Sequence, residues 1–449
     1  MTKVISTIKL AIPIVIGQLG VMLMGLADTI QVGQMKNLAA ESLGAAGMAG
    51  SIFFTIGVIG LICLQIISPM VSKAKAENDE SECGNLLRAA LRVAVFLSIL
   101  TILVIGIVGL NYDLFKQSPI NKELTIPYLT VISLSIFPMF IFVAFKGFTD
   151  GLEDTKVGMI ITLLALLLNI LLNFILIEGW GFIPALGLFG SGIATLTARI
   201  LMAISMGFYV FSHKKYKPYL VRKHQHQDYV IEKKILDVGI PSGFQGFFEI
   251  ATFGMAVVMM GWISTTAQAA HIVAINMASL TYMAATGIAS AGGINVGTAI
   301  GERSHREILH SGNAALKITI VFMGVCAAIM YFGKYWLIRG YTQEINVINI
   351  AMELVTWGAI FQLFDGIQAV SLGLLRGLQD VKVPTAITIF SYWVVGLPLS
   401  YFLGIHQTFG AVGIWIGLTV SLVCSAALLS WRFYMKGKSI NFDELVIEG

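Results

Sequence analysis

The chain has 449 residues, of which 57% are hydrophobic and only 12% charged, with a mean hydropathy of +0.83. A soluble protein of this length carries about a quarter charged residues, which excludes a soluble enzyme or a nucleic-acid partner and leaves the net charge of +4 to report topology. The apolar residues fall in runs of roughly 20 or more, enough to cross about 30 Å of hydrocarbon as helix.

In chain order, Lys3 and Lys9 precede a first span at 9–34. No short apolar core with a small-residue cleavage site follows, so the segment reads as a retained helix and not a signal peptide. Further spans are expected at 45–72, 86–112, 124–147, 156–178 and 183–212. The basic stretch HKKYKPYLVRKHQHQDYVIEKK, residues 213–234, then reads as a solvated linker, its alternating His and Gln included. A second series follows at 235–262, 268–300, 310–335, 346–375, 383–405 and 409–434. The expected organisation is an all-α integral membrane protein of twelve transmembrane helices: an N-terminal six-helix lobe at 1–212, a cytoplasmic linker at 213–234 and a C-terminal six-helix lobe at 235–449.

Of the 29 Lys and Arg residues, 22 fall at the termini and in even-numbered connections, Arg376 among them, and five in odd-numbered connections. Arg199 and Lys317 stay inside spans. Cytoplasmic loops collect the positive charge, so both termini are expected in the cytoplasm. Cys63, Cys83, Cys326 and Cys424 lack metal-ligand spacing and read as small apolar fillers.

The two halves repeat. GLEDTKV at 151–157 recurs as GLQDVKV at 377–383, Gly84-Asn85 recurs as Gly312-Asn313, and IPIVIGQ at 12–18 recurs as IPSGFQG at 240–246. Six spans therefore repeat as six, and an even number per repeat gives two bundles of the same orientation, the organisation of many secondary transporters.

Three acids stand deep in spans: Asp28, Glu249 and Asp365. Glu249 is the only formally charged residue between Asp237 and Glu302, Asp28 the only one between Lys9 and Lys36, and Asp365 the only one between Glu353 and Arg376. An acid at a helix centre costs about 2.5–3.5 kcal/mol on insertion scales. With few deep bases to offset them, the three point to a bound cation, a proton or a cationic substrate. At the repeat offset the acids face Ala256, Val21 and Met139, so the scaffold is duplicated while the acids are not. Asn169 and Asn173 share one face of the fifth span at i,i+4, and Thr195 lies among small residues that permit close helix approach. Gln245, Gln362 and Asn276 are further polar neighbours. Pro13, Pro241 and Pro398 can kink their spans. Glu353 reads as wetted near the outer end of its span, and His271 as a structural donor or a proton relay.

PIVIGQLGVMLMGLADTIQVG, NILLNFIL, FFEIATFGMAVVMM, AAHIVAINMASLTYM, FDGIQAV and LLRGLQDVKVP resemble segments of the multidrug and toxic compound extrusion (MATE) family, NorM-type branch, in the family's order over nearly the whole length. The resemblance implies two six-helix lobes related by pseudo-two-fold symmetry around a V-shaped central cleft. It implies secondary active efflux of organic, mostly cationic lipophilic compounds by Na+ or H+ antiport through alternating access, in a bacterial cytoplasmic membrane among its lipids. A monomer with no cofactor beyond the coupling ion is expected. The resemblance places a C-lobe cation site at Glu249 and Asp365 with Asn276 nearby, to which the polar neighbour Gln362 is added, and Glu249 and Asp365 are the candidate holders of Na+ or H+. It places an N-lobe cation, proton or substrate site at Asp28, Asn169, Asn173 and Thr195. Similar proteins often have Tyr four residues before Asp365, where this chain has Phe361; Asn173 stands where other branches carry an acid.

The alternative within transport is a flippase for lipid-linked oligosaccharide or peptidoglycan precursors, which would hold pyrophosphate with deep Arg and Lys. A membrane enzyme would need a nucleophile–base or metal constellation, which the pattern lacks. An ATP-driven pump would need a phosphate loop, but the glycine cluster AGGINVG at 291–297 has no lysine.

Overall fold

A computed structural model describes residues 2–181, 183–221, 228–407 and 409–442. Residues 222–227 of the polar connection, with the basic and histidine residues among them, and residues 443–449 lie outside the described residues. Twelve helical spans among those described are long and apolar enough to cross a membrane. They are α1 Lys3–Gly33, α2 Ala39–Ala76, α3 Glu80–Leu110, α4 Pro119–Gly151, α5 Thr155–Glu178 and α6 Gly187–Ser212. The second set is α7 Tyr229–Ile263, α8 Thr265–Gly301, α9 His305–Arg339, α10 Ile345–Gly377, α11 Lys382–His406 and α12 Gly410–Ser439.

Most helices overrun the expected spans, because hydropathy marks only the hydrocarbon-length part while the helix continues until a cap or turn stops it. The Asp79 carboxylate accepts the Glu82 N–H at 2.9 Å to start α3. Ser264 and Ser304 start α8 and α9 in the same way, accepting from Ala267 at 3.0 Å and Glu307 at 3.3 Å. Each such N-cap contributes about 1 kcal/mol.

The sequence repeat has a structural meaning. Asn78, Glu153, Arg303 and Gln379 follow α2, α4, α8 and α10 with φ of 57°, 64°, 52° and 58°. After each, the next N–H reaches back into the finished helix: Asp79 to Ala74 O at 3.0 Å, Asp154 to Thr149 O at 2.8 Å, Ser304 to Ala299 O at 3.1 Å and Asp380 to Leu375 O at 3.0 Å. These are four Schellman turns, and GLEDTKV and GLQDVKV are two of them. The repeated aspartate of the motif does the same work in both halves. Asp154 accepts from Tyr216 Oη at 2.7 Å and Lys215 Nζ at 3.1 Å, while Asp380 accepts from Arg432 Nε at 2.7 Å. The repeated glycine is steric: a Cβ on Gly151 would lie 2.5 Å from Ser68 O, and one on Gly377 2.7 Å from Gly293 O.

The chain divides into two compact units, one of Ile16–Gly243 and one of Met1–Val15 with Phe244–Gly449. The divisions fall inside α1 and α7, just past Pro13 and Pro241, and not in the polar connection. Thus the start of α1 packs on the later helices: Asn295 Nδ2 donates to Thr7 Oγ1 at 2.9 Å, and Lys3 pairs with Glu307 at 2.9 Å. The start of α7 packs on α2 through glycines, since a Cβ on Gly243 would sit 2.4 Å from Ile59 O.

Within spans, α2 breaks at Ile66 and α4 at Ser135. Around Pro398, α11 carries π-helical stretches at Phe390–Gly396 and Phe402–His406, the local unwinding expected where proline removes a backbone donor. Cys63 and Cys83 are buried and form no disulfide among the described residues, and the Cys83 thiol donates to Val71 O at 3.8 Å.

Candidate cation sites

In the unit of Ile16–Gly243, α1, α5 and α6 meet on Asp28. Close approach is built in, because a Cβ on Gly20 would lie 3.1 Å from Thr162 of α5 and one on Gly190 2.5 Å from Leu176 O. Gln31, one turn along from Asp28, ties α1 to α5 by donating to Ile170 O at 3.1 Å. Asn173 Nδ2 donates to Asp28 Oδ1 at 2.6 Å, and Thr195 Oγ1 donates to Asp28 Oδ2 at 2.8 Å. Asn169 Nδ2 donates to Thr195 Oγ1 at 3.3 Å. All four residues are buried. The structure therefore brings together the four residues singled out in this half. Among the described residues the amide oxygens of Asn169 and Asn173 find no partner, so the cluster retains acceptors for a further positive guest.

In the other unit, α7, α8, α10 and α11 surround Glu249 and Asp365, both buried and close enough for their charges to act on each other. Glu249 Oε1 lies 3.3 Å from Gln368 Nε2 and 3.4 Å from Tyr392 Oη. The tyrosine hydroxyl has one proton and sits nearer Gln368 Oε1, at 3.0 Å, so the Gln368 amide is the steadier donor to Glu249. Among the described residues Asp365 Oδ1 has no hydrogen-bond partner. Gln362 Oε1 accepts from Thr281 at 2.6 Å, while its Nε2 has no partner among the described residues. Gly366 lets α9 close over this region, since a Cβ there would meet Met323 at 2.7 Å. Asn276 is exposed, and among the described residues no hydrogen bond links it to either acid. Phe361 is buried between Phe253 and Trp415, with ring centroids 5.9 and 5.3 Å away. His271 is fully buried and accepts at Nδ1 from Trp415 Nε1 at 3.1 Å.

Two basic residues stand closer to the acids than the sequence implied. Arg376, assigned to a connection because hydropathy ends the span at the first charge, lies inside α10. There it donates to Gln245 Oε1 at 3.4 Å, and its charge acts on Glu249. Arg199, one turn beyond Thr195, acts on Asp28. Neither forms an ion pair with these acids: among the described residues, Asp28, Glu249 and Asp365 are absent from the ion pairs. Each carboxylate is hydrogen-bonded by neutral donors or left open.

The MatE family model matches the chain twice, at residues 13–175 and 241–402. The chain belongs to the MatE family. The two matches also coincide with the internal repeat, and each contains one of the acid clusters' α1 or α7 acids. A protein of Idiomarina loihiensis named "Probable multidrug resistance protein NorM" is 33% identical over 431 residues, covering 94% of this chain and 92% of its own length. A protein of the same name from Bacillus cereus is 29% identical over 444 residues, covering 98% and 97%. Among solved structures, the eukaryotic MATE transporter AtDTX14 superposes with a TM-score of 0.88 over 97% of this chain and 98% of its own, at 16% identity. An outward-facing multidrug resistance MATE family transporter gives 0.88 over 97% and 96%, at 20% identity. This chain is thus a NorM-type MATE protein by sequence and has the MATE fold.

For a MATE protein of this branch, the residues that sequence reasoning missed are Tyr392, Gln368 and Arg376 around Glu249, and Arg199 beside Asp28. The contacts that place Gln368 and Tyr392 on Glu249 join residues 119 and 143 positions apart, beyond any local pattern. Gln368 alone had a signal, one turn from Asp365 on the same helix.

Proposed function

We propose that this protein is a multidrug efflux transporter of a bacterial cytoplasmic membrane, with both termini in the cytoplasm. It exports organic, mostly cationic lipophilic compounds in exchange for inward Na+ or H+. The observation that carries the reading is the pair Glu249 and Asp365: two buried carboxylates with, among the described residues, no ion pair to either and no hydrogen-bond partner for one oxygen of Asp365. Such a site holds one positive guest well and two poorly. A coupling cation entering from outside neutralises the pair; its loss inside leaves the negative charge to favour a cationic compound. A ligand shifts the balance between conformations only by its differential affinity for them, and the competition for one patch of negative charge supplies that difference. The hard oxygen donors of both clusters suit Na+ and equally suit a proton. No covalent step is needed, so the protein acts as a transporter and not as an enzyme. Names of the sequence relatives support multidrug export, and the buried acids of both clusters, beside Arg199 and Arg376, suit a cationic guest better than a pyrophosphate.

The test is dye efflux from vesicles containing the purified protein, driven by a sodium gradient alone and by a pH gradient alone. One or both should drive export, and Glu249→Gln and Asp365→Asn should abolish it at normal protein levels. Undiminished efflux in both variants ends the reading.

A further inference from the structure

Arg199 is an arginine inside a membrane span with anchors of its own. Its Nη1 donates to Ser135 Oγ at 2.6 Å, at the break in α4, and its guanidinium lies 4.9 Å from the Phe53 ring centroid. Intramembrane charges are costly and rarely incidental. It sits four residues after Thr195, whose hydroxyl is on Asp28 at 2.8 Å. That spacing puts the two on one helix face, about 6 Å apart along the axis. The side chain is held by α4 and α2 and makes no ion pair with Asp28. The charged and titratable groups that act on Asp28 or its neighbour are Arg199 from α6 and Tyr128 from α4. Among the described residues, α5 contributes the neutral Asn169 and Asn173.

An arginine bound directly to Asp28 would block a cation. One held a turn away leaves the oxygens open and repels whatever cation arrives. We infer that Arg199 is a positioning residue for cation release: a fixed positive charge, clamped by Ser135 and Phe53, that lowers the affinity of the Asp28 cluster for its guest so that the guest can leave. The repulsion is the same for a metal ion or a proton, because either adds one positive charge at the same carboxylate. This inference rests on the exchange mechanism proposed above.

The experiment uses the purified full chain and reads cation binding by its effect on thermal unfolding, with Na+ titrated at fixed pH and pH titrated without Na+. Asp28→Asn first identifies the response that belongs to the Asp28 cluster. In Arg199→Gln and Arg199→Met, that response should appear at concentrations lower by about tenfold, the low end of what removing a nearby opposite charge does to a carboxylate. Arg199→Lys, which keeps the charge, should stay near the parent value. In vesicles, the neutral variants should show a lower KM for the driving cation together with a lower turnover, as release becomes slow. A merely structural arginine would cut activity in all three variants without raising affinity, and that result overturns the inference. So does a parent protein with no Asp28-dependent response to either cation. Failure of the exporter reading shows itself separately, as absence of efflux in the parent while the binding shift is intact.

Discussion

Glu249→Gln separates a cation-binding acid from a structural one, because the two readings predict opposite effects on stability. Glutamine has the shape of glutamate, and its oxygen can take over the bond from Gln368 Nε2, now at 3.3 Å. The new amide nitrogen can turn to Gln245, a hydrogen-bond neighbour of this side chain. No cavity is created. Neutralising a carboxylate inside a span removes about 2.5–3.5 kcal/mol of insertion cost, and losing the favourable field of Arg376 returns part of it. The variant should therefore be as stable as the parent or more stable by about 1–3 kcal/mol, measured by unfolding in detergent without Na+, and yet fail to export. That combination of higher stability and lost activity is the signature of a destabilised functional site. A loss of more than about 1 kcal/mol with normal efflux would refute the reasoning and make Glu249 a packing residue.

Gly377→Ala places a Cβ 2.7 Å from Gly293 O, so thermal unfolding should report a loss of about 1–3 kcal/mol from overpacking. Gly254→Ala in α7 meets nothing within 4 Å and should instead be neutral or stabilising by up to about 1 kcal/mol. Tyr216 lies outside the spans, where burial and then its bond to Asp154 push its hydroxyl above the usual value of 10.0. The folded state then keeps a proton that the unfolded state loses, so stability present below about pH 10 should fall as pH rises beyond it. Tyr216→Phe should flatten that part of the pH profile; an unchanged slope would contradict the assignment.

The spans were legible because a bilayer imposes length and apolarity on each segment independently of its neighbours. The first-unit cluster was legible in part for the same local reason: Asn169 and Asn173 share a helix face, and Thr195 sits among the glycines that let the helices close. Helix ends were less so, since Asp79, Ser264 and Ser304 stop or start helices by geometry that hydropathy does not weigh. Arg376 shows the consequence, a charge assigned to a loop that the helix carries inward to Gln245. Tyr392 had no sequence signal at all, because only the fold of α7 against α11 brings its hydroxyl to Glu249. Asn276 looked equivalent to Asn169 as a polar residue in an apolar run, but it is exposed, and one sequence does not fix which face of a long helix looks inward.

The central claim is that one patch of buried negative charge serves two positive guests in turn. It is tested most directly by adding a lipophilic cationic dye to the purified protein and measuring what is released, radioactive sodium in one arm and protons in weak buffer in the other. The account predicts that dye binding expels the coupling cation from the parent protein, and that Glu249→Gln with Asp365→Asn abolishes the release. Tight dye binding by the parent with neither sodium nor protons displaced would contradict it.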